Sequence, residues 1–253
     1  MIGIKNLLIH SLIFLTNSIS LTPNLNKLSK YTGLSYKENN EITSLIDLPK
    51  HYGITIFYDE NENLIITCRG TTNFRDWIEN FKFALVHHMD CKNGMIHRGY
   101  YNKLLSIISE KEFQKIHKFI SAEENVYLCG HSSAAAKNIL ICHKLAKKHS
   151  KINFHVFAFG MPKFANSNYY RELKVFKNIK MLSFQLIDDI VPSLGVGVHD
   201  KENTIYLDID KLNFNPFNAH KMSRYRAAIR CSKKGNLSIE QLYNSLNKTK
   251  TLD

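Results

Sequence analysis

Glycine and proline are scarce, 11 and 5 in 253 residues, which excludes collagen-like and low-complexity architectures. Tryptophan occurs once. Acidic side chains are outnumbered, 22 against 34 Lys and Arg, for a formal charge of +12. The five cysteines, Cys68, Cys91, Cys129, Cys142 and Cys231, are odd in number and widely spaced. They form neither a disulfide framework nor a zinc pattern. Cys129 and Cys142 lie in apolar runs and read as small core residues, whereas Cys91 sits in a polar loop with room to pair. Beyond the N-terminus no run reaches the roughly 20 apolar residues of a membrane span. RNA-binding signatures, zinc-finger spacings and basic heptads are missing too, and the lysines are scattered, so nucleic acid is not an expected partner. The basic charge suits an anionic membrane surface better.

The chain does have enough apolar residues, 44%, to build a large core, which excludes a mostly disordered chain. It reads as a single domain over residues 21–253, with no internal repeat and no linker. Residues 1–20 run from a basic start at Lys5 through an apolar stretch, Leu7–Leu15, to the small residues Ser18 and Ser20. That is the order of a secretory signal, and secretion is expected. Sequons at Asn236 and Asn247 agree with it.

Residues 21–50 are polar and mixed, a segment expected to wrap the domain. His51–Tyr58 and Leu64–Cys68 are β-rich about a polar turn, which predicts a hairpin. Leu104–Ile120 has helical spacing. Strands are predicted over 126–129, 152–159, 181–187 and 203–207, and helices over 134–148, 168–173 and 221–229. Strands alternating with helices imply an α/β fold, a mostly parallel central sheet with helices on both faces.

Gly130-His131-Ser132-Ser133-Ala134 lies directly between a predicted strand and helix. A serine there sits on a sharp turn with its hydroxyl at the sheet edge, so Ser132 is the candidate nucleophile and the Ser133 N–H a candidate oxyanion donor. The same five residues also suit an ordinary turn with a serine cap. A nucleophilic serine needs a base and an orienting acid. Asp188 and Asp189 end the strand over 181–187, with His199 and His220 following. That gives the chain order Ser, acid, His of a nucleophile-elbow hydrolase. Phe74, Trp77, Ile78 and Phe81 recur at i, i+3, i+4 and i+7, which predicts a short amphipathic helix with an aromatic face.

Several segments together resemble the class 3, fungal-type triacylglycerol lipases of the α/β-hydrolase superfamily. Cys68-Arg69-Gly70-Thr71-Thr72, running on to Asp76-Trp77, resembles that family's Arg-Gly-Thr/Ser segment. Ile96-His97-Arg98-Gly99-Tyr100 resembles Val-His-x-Gly-Phe, Gly130-His131-Ser132 the Gly-His-Ser elbow, and Phe159-Gly160-Met161-Pro162-Lys163 with Asn166 the Phe-Gly-x-Pro-Arg…Asn segment. Asp189-Ile190-Val191-Pro192 resembles the acid motif, and His220 with Tyr225 the terminal His…Tyr pattern. The likeness spans about residues 31–230 in family order. It implies Ser132 as nucleophile, Asp189 as acid, His220 as base and Thr71 as the second oxyanion donor. His199 falls to a structural role, and Phe74, Trp77, Ile78 and Phe81 become the lipid-facing side of a lid. The chain departs from the family at Ser133-Ala134-Ala135, in place of Leu-Gly-Gly, at Ala165 in place of Gly, and at Lys163 in place of Arg.

The expected activity is a serine ester hydrolase releasing fatty acids from acyl glycerols through an acyl-enzyme, with lipid at an interface as partner. No metal or organic cofactor and no stable protein partner is expected. The alternatives are a phospholipase A1-type hydrolase, a less favoured feruloyl-type esterase, and a non-catalytic lipid-binding relative.

Overall fold

The computed structural model describes residues 23–37, 42–70, 84–207, 215–232, 236–237 and 239–250. The expected signal segment 1–20 lies outside these residues, as do Thr71 and the stretch holding Phe74, Trp77, Ile78 and Phe81.

Among the described residues six strands make the central sheet: β1 (Ile54–Tyr58), β2 (Leu64–Cys68), β5 (Asn125–His131), β6 (Asn153–Phe159), β7 (Ile179–Leu186) and β8 (Thr204–Leu207), neighbours in that order. β1 is antiparallel to β2, in register Ile56↔Ile66, and the rest run parallel. The β1–β2 turn closes on Asp59, whose carboxylate accepts the Asn61 and Asn63 N–H groups at 2.9 Å. Two further strands, β3 (Leu85–His87) and β4 (Met95–His97), form a small separate ribbon. They are too short to show a period in the sequence.

Alternation along each strand sends side chains to opposite faces. Val126, Leu128, Phe154 and Val156 point into one core with α5 (Ser133–Lys148), α2 (Arg98–Ser109), α3 (Lys111–Gln114), α4 (Ile116–Ile120) and α6 (Ser167–Leu173). Tyr127, Cys129, Phe157, Phe159 and Phe184 point into the other, under α1 (Leu25–Leu34), α8 (Met222–Cys231) and Leu242 of α9 (Ile239–Lys250). Between β8 and α8 a short helix, α7 (Pro216–Ala219), leads into His220.

Two expectations change. The segment 21–50 contains a helix: Asn24 caps α1 by accepting the Lys27 N–H at 3.0 Å, and Leu25, Leu28 and Tyr31 bury one stripe. The helix expected over 104–120 begins earlier, at Arg98, and breaks twice. Glu110 leaves the helical region at ψ 130°, its carboxylate held by the Tyr52 hydroxyl at 2.7 Å, and the chain turns so that Phe113, Ile116 and Ile120 reach the core. All five cysteines are free thiols.

Because Leu28 of α1 is fully buried against the second core, Leu28→Ala should cost about 2–5 kcal/mol. Urea unfolding measures this, and a loss below 1 kcal/mol would mean that α1 does not seal that face.

Candidate active site

Ser132 sits between β5 and α5 with φ 62° and ψ −135°. For a side chain with a Cβ this conformation costs on the order of 1–3 kcal/mol and persists only where surrounding structure imposes it. Here the Ser132 N–H donates to Phe159 O at 2.9 Å, and the Gly160 N–H donates to Phe184 O at 2.9 Å, so the ends of β5, β6 and β7 are laced together. The strand and helix also pass closely. A Cβ at Gly130 would lie 2.9 Å from the Ala134 carbonyl and 2.8 Å from Asn138 Nδ2. Ala134 and Ala135, the departures noted above, are fully buried in the first core. Ser133 opens α5, at the positive end of a 16-residue helix.

Asp189 follows β7, and His220 lies in the turn before α8. The two side chains meet at 2.7 Å, His220 Nδ1 to Asp189 Oδ2, both buried. Tyr225 donates to the same Oδ2 at 2.6 Å, and the Val191 N–H donates to Oδ1 at 2.9 Å. Asp188 faces elsewhere and is held by Arg224 at 2.6 Å. The two carboxylates that the sequence offered are thus separated by partner. Gly160, at φ 54°, leaves room beside this group: a Cβ there would stand 2.8 Å from the Tyr225 hydroxyl, 3.0 Å from His220 and 3.1 Å from Asp189. His199 binds the Pro192 carbonyl and so pins the loop that follows Asp189.

His131 joins the serine and histidine sides of the site. Its ring lies 4.4 Å from that of His220, and its Nδ1 meets the Tyr36 hydroxyl at 2.9 Å. Burial, and the neighbouring His220, push its pKa well below the usual imidazole range. The Tyr36 hydroxyl also bonds the Gly70 backbone. Gly70 is the last described residue before Thr71. Lys137 of α5 supports the same segment from the other side: its buried ammonium donates to the Arg69 carbonyl at 3.0 Å and the Tyr52 carbonyl at 3.2 Å. Burial lowers its pKa to about 8. Sequence reasoning missed Tyr36 and Lys137, since nothing local marks either of them. His97 and Asn166, from two of the family-like segments, act as scaffold: His97 caps α2 through Gly99 at 3.1 Å, and Asn166 accepts the Met95 and Tyr169 N–H groups at 3.0 and 2.9 Å.

The model of one protein family, Lipase (class 3), matches residues 65–198, more than half of the chain. The chain belongs to the class 3 lipase family. The matched span covers the elbow and Asp189 and ends before His220. No curated protein matches the chain. Among solved structures, a lipase from Rhizopus microsporus var. chinensis aligns with a TM-score of 0.53 at 18% identity, over 63% of this chain and 58% of that one. A second fungal lipase aligns with a TM-score of 0.60 at 17% identity, over 78% and 93%. A triacylglycerol lipase described as having a serine protease triad as its catalytic centre aligns with a TM-score of 0.57 at 19% identity, over 66% and 73%. These likenesses establish the α/β-hydrolase fold for this member of the family, which spans under two thirds of the Rhizopus enzyme.

Two measurements follow from electrostatics, the first of this site and the second of His131 together with His155, which lies outside it near the start of β6. Tyr225→Phe removes a charge-assisted bond to Asp189, and should cost about 1.5–3 kcal/mol of stability with the fold retained, read by urea midpoint. An unchanged midpoint would show that the bond contributes nothing. The second concerns His131 and His155, both kept neutral in the fold by burial, His155 at about 4. The unfolded chain takes up these protons near pH 6.5, so stability is complete above that pH and falls as pH drops toward 4. His155 alone should account for on the order of 3 kcal/mol. His155→Gln should flatten part of that fall, and equal urea midpoints at pH 7.5 and 5 would contradict it.

Proposed function

We propose that this class 3 lipase is a serine ester hydrolase that frees fatty acids from acyl glycerols. The observation that carries the proposal is a strained serine turn at the end of β5 on the same sheet edge as a buried His220–Asp189 pair. Ser132 Oγ attacks the ester carbonyl while His220 Nε2 takes its proton. Asp189, fixed by Tyr225 and Val191, orients the imidazole and stabilises its charged form. The Ser133 N–H, at the helix N-terminus, and Thr71 receive the developing oxyanion, each such donor being worth roughly 3 kcal/mol. His220 returns the proton to the leaving alcohol, and water then attacks the acyl-enzyme by the same route in reverse.

Two features support a lipid surface as the place of action. Ile187 and Ile190 flank the acid with exposures of 66% and 49%, and large apolar side chains left open at a site edge suit contact with acyl chains. The aromatic stretch Phe74, Trp77, Ile78 and Phe81 follows Gly70 directly in sequence, and is proposed as the lid over the site. The net charge of +12 favours an anionic interface, so phospholipase A1 action is the second reading. Residues 1–20 are proposed to direct secretion.

Fatty acid release from emulsified triacylglycerol and from phosphatidylcholine vesicles, measured side by side, decides between substrates. Ser132→Ala should lower either rate by about 10⁵–10⁶-fold, and a serine-directed phosphonate should label the wild type alone. Labelling that persists in Ser132→Ala would refute the assigned nucleophile. Silence on both lipids from folded protein would point to the non-catalytic lipid-binding reading.

A further inference from the structure

The loop between β3 and β4 carries His88 and Cys91 and folds against the middle of α5, at His143, and against α6, at Tyr169 and Glu172. The His88 and His143 rings stack with centroids 4.9 Å apart and planes 13° apart, and Tyr169 meets each edge-on at 5.6 Å. Four atoms of this cluster are buried without a hydrogen-bond partner among the described residues: His88 Nε2, both ring nitrogens of His143, and the Tyr169 hydroxyl. Leaving one such group unsatisfied costs about 1–3 kcal/mol, so this concentration in one place calls for something that satisfies it. One ligand atom from each of His88, Cys91 and His143 lies within 4.8 Å of the others. None of the three belongs to the site described above. His143 is about 15 Å along α5 from the helix start.

We propose that His88, Cys91 and His143 form a binding site for one zinc-class divalent ion, with water as the fourth ligand. Two imidazoles and a thiolate are the donors that borderline-soft ions select, and magnesium and calcium avoid. The His-x-x-Cys spacing of 88 and 91 lets one loop supply two ligands. Bond lengths of about 2.0–2.3 Å around a tetrahedral ion place donors roughly 3.3–3.8 Å apart, so the three side chains close by about 1 Å on binding. The protons balance as follows. Cys91 gives up its thiol proton to the surrounding water, which its half-exposed side chain reaches. Ligation through His88 Nε2 shifts that ring's proton to Nδ1, at the cost of a 3.2 Å bond from the Asp90 N–H. Asp90 itself is committed to Lys144 and Lys147 at 3.3 and 2.7 Å. Cys91 is only half-buried and gives the ion a way in. The ion is a structural clip joining the β3–β4 loop to α5.

The test uses the full chain, stripped with a chelator and titrated with zinc and with cobalt as a spectroscopic stand-in. Expected are one ion per chain, the visible spectrum of tetrahedral cobalt with a thiolate charge-transfer band, and a higher melting temperature with zinc. Cys91→Ser should abolish the charge-transfer band. His143→Gln should weaken zinc binding beyond the ~10–100-fold typical of losing an outer-shell partner. Cys91→Ser alters a half-exposed loop residue, so it keeps the test open if His143→Gln fails to fold. Folded wild type that binds neither ion would show that water satisfies these atoms, and binding untouched by Cys91→Ser would place the ion elsewhere. Either result overturns the site. The readout is independent of ester hydrolysis.

Discussion

The backbone at Ser132 is the constraint on which the site depends. Its left-handed turn is unfavourable in isolation, and it is imposed by β5 and α5, which are held too close for a side chain at Gly130. The bond from the Ser132 N–H to Phe159 O ties the turn to β6, and the one from Gly160 to Phe184 O ties β6 to β7. Three parallel strand ends are thereby fixed relative to one another, and the loops leaving them carry the serine and the acid. The energy that holds the turn comes from the two apolar layers behind it, where Val126, Leu128, Phe157 and Phe159 are fully buried. A well-packed sheet can sustain a few kcal/mol of strain at one residue because its interior does not relax easily.

Around that turn polar groups are paired by position rather than by charge alone. Asp189 satisfies both of its oxygens, through His220, Tyr225 and Val191. Arg224 takes Asp188 and keeps the neighbouring carboxylate apart. Lys137 is a different case, a buried ammonium that donates to two backbone carbonyls. It links the β1–β2 hairpin to α5 at Arg69, just ahead of Gly70. Tyr36 reaches the same place from the end of α1 through His131 and Gly70.

Much of this was legible in the sequence because it is local. The strand–turn–helix of 125–148 announces itself by an apolar run, a Gly-His-Ser turn and an alanine-rich helix start, and the hairpin by two β-rich runs about Asp59–Asn63. The choice between Asp188 and Asp189 was not local. It rested on resemblance alone, and in the structure the two differ through Arg224 and Tyr225, more than thirty residues away. α1 escaped notice because its polar residues dilute a narrow stripe, although Asn24 before Leu25 is a readable cap. The β3–β4 ribbon is three residues a side, below any period. His143 meets His88 across 55 positions, and only the packing of the loop on α5 reveals it.

The second apolar layer joins the two ends of the described chain. α1 packs on α8 there, with Gly33 against Arg226, and Asn26 meets Asn236 at 3.1 Å across 210 positions. On the ribosome, α1 emerges well before its cover, nearly two hundred residues ahead of α8. At about 5–20 residues per second, Leu25 and Leu28 wait some ten to forty seconds for α8 to be made. The parallel strands of that face stand uncovered for part of the same interval. Nascent chains of this topology therefore offer chaperones a long window, and the second core cannot close until α8 has been made.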